Sequence, residues 1–370
     1  MGRTAGGPSL RGLARSRTLL PTSVVTVLAV VFAFFVSMPT ASGVVVDGMD
    51  YSFNQVVNGD FITTGNGVLG CSGQTNCTNL NSANPGAVYN DDLIMRSVDM
   101  DSVASTYNST SASVTVPNGA KVVKAMLYWM GNTGATTDAN GVNWVTGTYA
   151  FSCSTRFTTG TQASLAANQP SSPIGQPVKL SVGGAGYVDV NYESLAAESQ
   201  SQLGPRQSQY YSAQADVTNA FSSLATGTPQ TITVGNVWAP QGNNCAGGWG
   251  LTLVYDFGKS TYGATNTYAR QVAIYDGHLR QFQGDAPVYA QLQATAVSTG
   301  AKASYILMEG DGGITGDGAI YQSVSTTGAY GAAQGITGAS GVAATSTGTG
   351  AGAAPSGGNV GVSFADGAAP

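Results

Sequence analysis

The chain has 370 residues, and only 9% are charged where an ordinary soluble domain carries about 25%. Hydrophobic residues make up 42%, which is ample for a core and excludes wholesale disorder of the low-hydrophobicity, high-charge kind. Nineteen acidic residues face fourteen basic ones, and four of the basic ones, Arg3, Arg11, Arg15 and Arg17, precede an apolar run. The remainder is strongly acidic, a sign that repels phosphate backbones and excludes a nucleic-acid binder.

Residues 1–18 hold those four arginines and no acid, and Leu19 to Val36 is dominated by Val, Leu, Ala and Phe. Small residues and Pro39 follow, with Ala41 and Gly43 suited to a peptidase site. A basic start, an apolar middle and a small-residue exit predict a secretory leader over 1–43, removed on export. The competing reading is an uncleaved membrane anchor, the one route to a membrane that the sequence offers. Pro21, Thr22 and Ser23 shorten the uninterrupted apolar part to Val24–Val36, too little to span hydrocarbon comfortably, which favours the leader.

A secreted or extracellular address, with attachment to a cell surface left open, agrees with the four cysteines. Cys71 and Cys77 lie in one turn-rich stretch, while Cys153 and Cys245 are distant. Of the three pairings available, Cys71 with Cys77 and Cys153 with Cys245 is preferred. The spacers are wrong for a zinc site and no histidine accompanies them, so disulfides are the expected state.

From Val44 to Ala296 the apolar pattern has period two, which puts each set on one face of a strand. Such sets are Val123, Ala125, Leu127 and Trp129; Ile232 and Val234; Trp249, Leu251, Leu253, Tyr255 and Phe257; Val272 and Ile274; and Val288 to Ala296. Pro117-Asn118-Gly119 between two such segments reads as the turn of a hairpin. Helical periodicity is confined to Leu195–Gln202 and Val217–Leu224, the second with Asp216 or Thr218 as cap. The fold class predicted is all-β, an antiparallel sandwich or jelly roll over 44–325, in one piece or as two packed sub-sandwiches. Residues 326–370 form a tail rich in Gly, Ala, Ser and Thr that has too few large apolar side chains to offset ordering entropy.

Few residues offer chemistry. The one histidine, His278, would have to be the base of any serine or cysteine triad. It follows Asp276-Gly277 in what reads as a turn leaving a strand, and no Gly-x-Ser-x-Gly elbow supplies a partner. The acids are more suggestive. Glu309, Asp311 and Asp317 sit among glycines, and Glu309 with Asp311 repeats the spacing of Asp99 with Asp101, so each pair points one way on an extended backbone. Converging, the two pairs would make an oxygen cage for calcium, Ca2+; the plainer reading is that Asp-Gly runs mark turns. The same acids are the ones a glycan hydrolase would use. For sugar stacking, Trp144 and Trp238 lie near turns, and of the adjacent Tyr210 and Tyr211 one should face outward. Asn76-Cys77-Thr78 and Asn108-Ser109-Thr110 match the glycosylation tripeptide.

An ordered set of short motifs adds a setting. Gly59-Asp60-Phe61 with Gly65-Asn66-Gly67, Val98-Asp99-Met100-Asp101, Val116-Pro117-Asn118-Gly119-Ala120 with Leu127-Tyr128-Trp129, Ala215-Asp216-Val217-Thr218, Gly247-Gly248-Trp249 with Leu253-Val254-Tyr255, Tyr275-Asp276-Gly277, and Glu309-Gly310-Asp311 with Thr315-Gly316-Asp317 follow one another. In this order, over Asn58 to Gly318, they resemble the β-rich N-terminal module of large secreted surface proteins of Gram-positive bacteria, which often precedes domain-of-unknown-function 11 repeats. The resemblance implies an extracellular module without assigned enzyme activity and without binding residues to carry over. This chain differs from that pattern in showing neither the repeats nor a sorting motif. The expected function is therefore a non-enzymatic exported protein acting by surface contact: adhesion, matrix building or ligand capture. Its expected partner is a cell-envelope glycan or another surface protein. A calcium-stabilised carbohydrate-binding module and a glycan hydrolase stand as alternatives.

Overall fold

A computed structural model describes residues 44–74, 77, 93–134, 153, 163–198, 209–258 and 269–280, together with a few positions beyond 301. The expected leader, Trp144, Glu309, Asp311, Asp317, the strand expected over Val288 to Ala296 and nearly all of the expected tail lie outside the described residues.

In chain order the strands are β1 (Val44–Val57), β2 (Gly59–Gly67), β3 (Leu69–Gly70), β4 (Ile94–Ser97), β5 (Ser109–Val114), β6 (Lys121–Gly134), β7 (Val178–Val182), β8 (Val188–Val190), β9 (Ser194–Ala197), β10 (Gln209–Asp216), β11 (Gln230–Gly235), β12 (Gly242–Asn243), β13 (Gly247–Asp256) and β14 (Arg270–Arg280). All of these pair antiparallel. A five-stranded sheet runs β2-β13-β6-β10-β9, a four-stranded sheet β5-β11-β7-β8, and β12-β4-β3 forms a third small sheet. The all-β sandwich is thus the architecture.

Pleating explains how one sheet serves two cores. On β6, Ala125, Leu127 and Trp129 point to the main core; on β13 Trp249, Leu251 and Leu253 do, and on β10 Tyr211, Ala213 and Ala215. Facing them across the sandwich are Ala112, Val114, Leu180, Ile232 and Val234 of the four-stranded sheet. The alternate side chains Met126 and Val254 point the other way, where they meet Phe53, Val57, Val272 and Ile274 of the two-stranded ribbon made by β1 and β14. The result is three layers sharing one central sheet, rather than two separate sub-sandwiches. Polar side chains span the main core with partners at both ends: Trp249 Nε1 donates to Thr110 Oγ1 at 2.9 Å, and Asn66 Nδ2 to the Ser111 carbonyl at 2.8 Å. Such pairing removes the cost of burying them.

Three local expectations are corrected. Pro117-Asn118-Gly119 closes no hairpin, because β5 pairs with β11 while β6 lies in the other sheet. Its turn, with Ala120 N–H on the Pro117 carbonyl and Gly119 at φ 81°, carries the chain from one layer to the next. Leu195, read as the start of a helix, lies in edge strand β9, and the Val217–Leu224 segment contains one 3₁₀ turn, Thr218–Phe221, whose first amide is accepted by Asp216 Oδ1 at 2.8 Å. Asp276-Gly277-His278 is not a turn either. The strand continues to Arg280, and Gly277 is there because a bulge in β1 brings the Gly48 carbonyl to 2.7 Å from where a Cβ would stand.

Both preferred disulfides are formed, Cys71–Cys77 and Cys153–Cys245, with Cα separations of 5.5 and 5.0 Å. They differ in the length of chain they close, 6 against 92 residues. Chain-entropy scaling gives about 2 and about 4.5 kcal/mol for loops of those sizes. Replacing Cys153 and Cys245 by Ser is therefore expected to cost roughly twice the stability that replacing Cys71 and Cys77 does. Urea unfolding of the two double variants checks it, and equal losses would count against the entropic account.

Candidate functional site

Two arrangements stand out. The first is a cleft of about 250 Å³ walled by the loop before β5, the loop before β7 and the residue that follows β11, with Thr106, Tyr107, Asn168, Pro170, Gln176 and Asn236 among its lining. Its walls are fixed by side chains that replace backbone pairing. Asp99 Oδ1 accepts from Ser102 N–H at 3.2 Å and Ser109 Oγ at 2.9 Å, and Asp101 Oδ1 from Val103 N–H at 3.1 Å and Thr106 Oγ1 at 3.3 Å. The second Asp101 oxygen accepts from Tyr187 OH. Burial works to raise the Asp101 carboxyl, but the hydrogen bonds from Tyr187 and Val103 outweigh it and hold its pKa below the ordinary value. Across the cleft Tyr107 OH donates to the Asn236 carbonyl at 2.7 Å, and Asn236 Nδ2 to the Ser105 carbonyl at 3.1 Å.

Backbone strain collects here. Of the four non-glycine residues with left-handed φ among the described residues, Asn168 (64°) and Asn236 (59°) line the cleft and Ser102 (53°) lies in its wall loop. Strain of this kind persists only where the surroundings enforce it and clusters at binding sites. The segments forming the walls also carry Met100, Val103 and Ile174, which are 39%, 40% and 47% exposed.

The second arrangement is a chain of side chains on the far face of the five-stranded sheet. Alternate residues of β14 point at that sheet: Val272 and Ile274 into the second core, then Asp276, His278 and Arg280. Tyr128 OH of β6 donates to Asp276 Oδ1. His278 Nδ1 is 2.9 Å from Ser212 Oγ on β10, and His278 Nε2 is 3.0 Å from Glu198 Oε1, just past β9. Glu198 Oε2 accepts from Arg280 Nη1 at 2.6 Å and from Tyr210 N–H at 2.8 Å, and the guanidinium lies 4.7 Å from the centre of the Tyr210 ring. The Glu198 side chain is 1% exposed, His278 11% and Arg280 15%.

The residues expected to act fall out as follows. Asp99 and Asp101 hold a loop through their hydrogen bonds, while Glu309, Asp311 and Asp317, the rest of the expected calcium set, lie outside the described residues, among which no group of three metal-ligating side chains occurs. Trp238 is buried, with Nε1 donating to the Pro170 carbonyl at 2.7 Å and its ring edge-on to Tyr211. Tyr210 and Tyr211 occupy opposite faces of β10, yet both faces are covered, so neither ring is free to stack on a sugar, and the expectation that one faces outward is corrected. Asn108 is fully buried and its amide bonds the Val237 backbone, which removes it as a glycosylation acceptor. Ser212 and Glu198 were not legible as partners of His278, from which they stand 66 and 80 positions away. Comparison with protein-family models, with curated proteins and with solved structures finds no match to this chain.

Asp276 provides a test of the far-face network. Burial raises its pKa above the ordinary carboxylate value of 3.8, outweighing the hydrogen bond from Tyr128. The folded state thus holds this proton more tightly than the unfolded chain, so its contribution is largest in acid and is lost as pH rises through the raised value. Asp276→Asn keeps the oxygen that Tyr128 needs and removes the charge. It is expected to raise the Tm at pH 8, with the gain shrinking towards pH 4; a gain independent of pH would contradict the assignment.

Proposed function

We propose that this chain is an exported, disulfide-tied protein that acts by surface contact, using the loop-lined cleft to capture an uncharged group of a cell-envelope glycan. The observation that carries the reading is the cleft itself: preformed, and held by its own side chains with left-handed backbone at Asn168 and Asn236. Ligand sites are concave and largely preformed in this way. At about 250 Å³ the cleft suits one small group rather than a large ligand. Its amides at Gln176 and Asn168, beside the flat faces of Pro170 and Pro177, match hydroxyls set on an apolar ring.

Two disulfides support an oxidising compartment. No helix among the described residues is long and apolar enough to cross a membrane. The resemblance to modules of Gram-positive surface proteins supports the envelope as the setting.

Gln176→Ala with Asn168→Gly, two lining residues, tests this reading. Both side chains are exposed and glycine accepts the left-handed backbone at 168, so the Tm is expected to stay within a degree or two. Retention on insoluble peptidoglycan, chitin or cellulose in a co-sedimentation assay is expected to fall at least tenfold. Retention that survives the double substitution, or no retention of the parent protein on any of the three, would sink the proposal.

A further inference from the structure

Beyond the binding cleft, we propose that Ser212 is a nucleophile for acyl transfer from small carboxylic esters, with His278 as its base and Glu198 and Arg280 as positioning residues. The order Ser212–His278–Glu198 is a nucleophile within hydrogen-bond reach of a base, and a base oriented by a third group, which is the geometric signature of an activated serine. A carboxylate can only accept, so Nε2 carries the proton that faces Glu198. Nδ1 is then left with its lone pair towards Ser212 Oγ, the arrangement in which the hydroxyl donates and the imidazole can take its proton.

A latch between β14 and the sheet accounts for Glu198, whose one oxygen accepts from Arg280 and the Tyr210 amide and whose other accepts from the imidazole. It does not account for the Ser212 hydroxyl on the second imidazole nitrogen. The guanidinium and the imidazole together fix the carboxylate, and the carboxylate in turn fixes the ring. Such preorganisation in a half-buried place is what acid–base work requires.

The surroundings of Ser212 suggest the ester class. Its ladder neighbours are Met130 on β6 and Ala196 on edge strand β9, so the side chain paired with it on that edge is a methyl group. A methyl and a thioether beside the hydroxyl favour a short apolar acyl group over a charged one.

In the reaction the Oγ lone pair forms a bond to the ester carbonyl carbon while the carbonyl pair moves onto its oxygen, and the hydroxyl proton passes to Nδ1. Collapse breaks the bond to the leaving alcohol, which departs with that proton. Water then attacks the acyl-serine, gives its proton to Nδ1, and the carboxylic acid is released as Ser212 regains the proton. Atoms and charge balance with ester and water alone.

Exposure of the intact, disulfide-bonded chain to a fluorophosphonate probe, with peptide mapping, is expected to place the label on Ser212. Ser212→Ala, which removes one hydroxyl, is expected to keep the Tm and to lose p-nitrophenyl acetate turnover to background. Glu198→Gln removes the charge that holds the imidazole with its proton on Nε2; a drop in kcat of about 10⁴-fold with KM unchanged, in protein shown by its Tm to be folded at the assay temperature, is the outcome that a positioning role predicts and a structural tie does not. If the folded protein takes no label at Ser212 while a control serine esterase is labelled, or if Ser212→Ala turns over at the parent rate, the proposal is overturned and the network is a latch only. None of the four residues lines the cleft, so retention on glycan in Ser212→Ala reports on the binding reading separately.

Discussion

The five-stranded sheet has to bury both of its faces, and most of the rest follows from that constraint. A sheet in an antiparallel sandwich usually leaves one face to water, and its strands then alternate apolar with polar. Here β6 runs Ala125-Met126-Leu127-Tyr128-Trp129-Met130 with every other side chain committed to a different layer. The β1–β14 ribbon covers the second face, and its inward residues change from apolar at Val272 and Ile274 to polar at Asp276, His278 and Arg280. The two ends contribute differently. Burying Val272 and Ile274 supplies on the order of 1.5–3 kcal/mol each without regard to register. The polar end adds little net driving force, but losing Arg280 from a nearly sealed Glu198 would cost about 3–5 kcal/mol. A slip of one residue would turn Tyr275, Gly277 and Leu279 towards the sheet and leave that carboxylate unpaired. Apolar residues therefore drive docking and the charged ones fix its register.

Much of the architecture was legible because the period of two is strong wherever a strand faces a core. Trp249, Leu251 and Leu253 were readable as one face, as were Ile232 and Val234, and the cysteine pairing followed from which residues shared a turn-rich stretch. Local rules failed where two layers compete for the chain. Pro117-Asn118-Gly119 has hairpin chemistry, but Val116 on one side is fully buried with the four-stranded sheet's side of the core and Ala120 leads into the other sheet. A turn specifies that the chain reverses, not which neighbour it then pairs with. Likewise Asp276-Gly277 reads as a turn until the bulge of β1 is known, because the space that demands a glycine is created by a strand more than two hundred positions away.

Neither arrangement of functional interest was visible in the same way. The acids Asp99 and Asp101 attracted notice by their spacing, and they prove to build the cleft's wall through Ser102, Val103 and Thr106. Their distant contributors, Asn168 and Asn236, carry no local signal beyond the tolerance of asparagine for left-handed backbone. His278 is the one histidine and so the one candidate base of its kind, but the sequence offers no nucleophile elbow to pair with it. The elbow is a device of α/β folds, where a strand must deliver a serine to the tip of a helix. In this layered β-structure a serine on one strand is met by a histidine from the strand covering it, and the same-face neighbours of Ser212, Tyr210 and Gln214, give that meeting no local signature.

That difference bears on how such a centre would be held. An elbow stores strain at the nucleophile and leaves the base on a loop. Here nucleophile and base both sit on paired strands, and the base reaches its place only when the ribbon is docked in register. Docking and assembly of the Ser212–His278–Glu198 chain are then one event: the same Arg280 that neutralises Glu198 for burial also orients the carboxylate that holds the imidazole. An arrangement of this kind carries its positioning within the backbone ladder, where neighbouring hydrogen bonds resist displacement. Its integrity depends on the charge balance beneath β14 and not on the loops that shape the cleft.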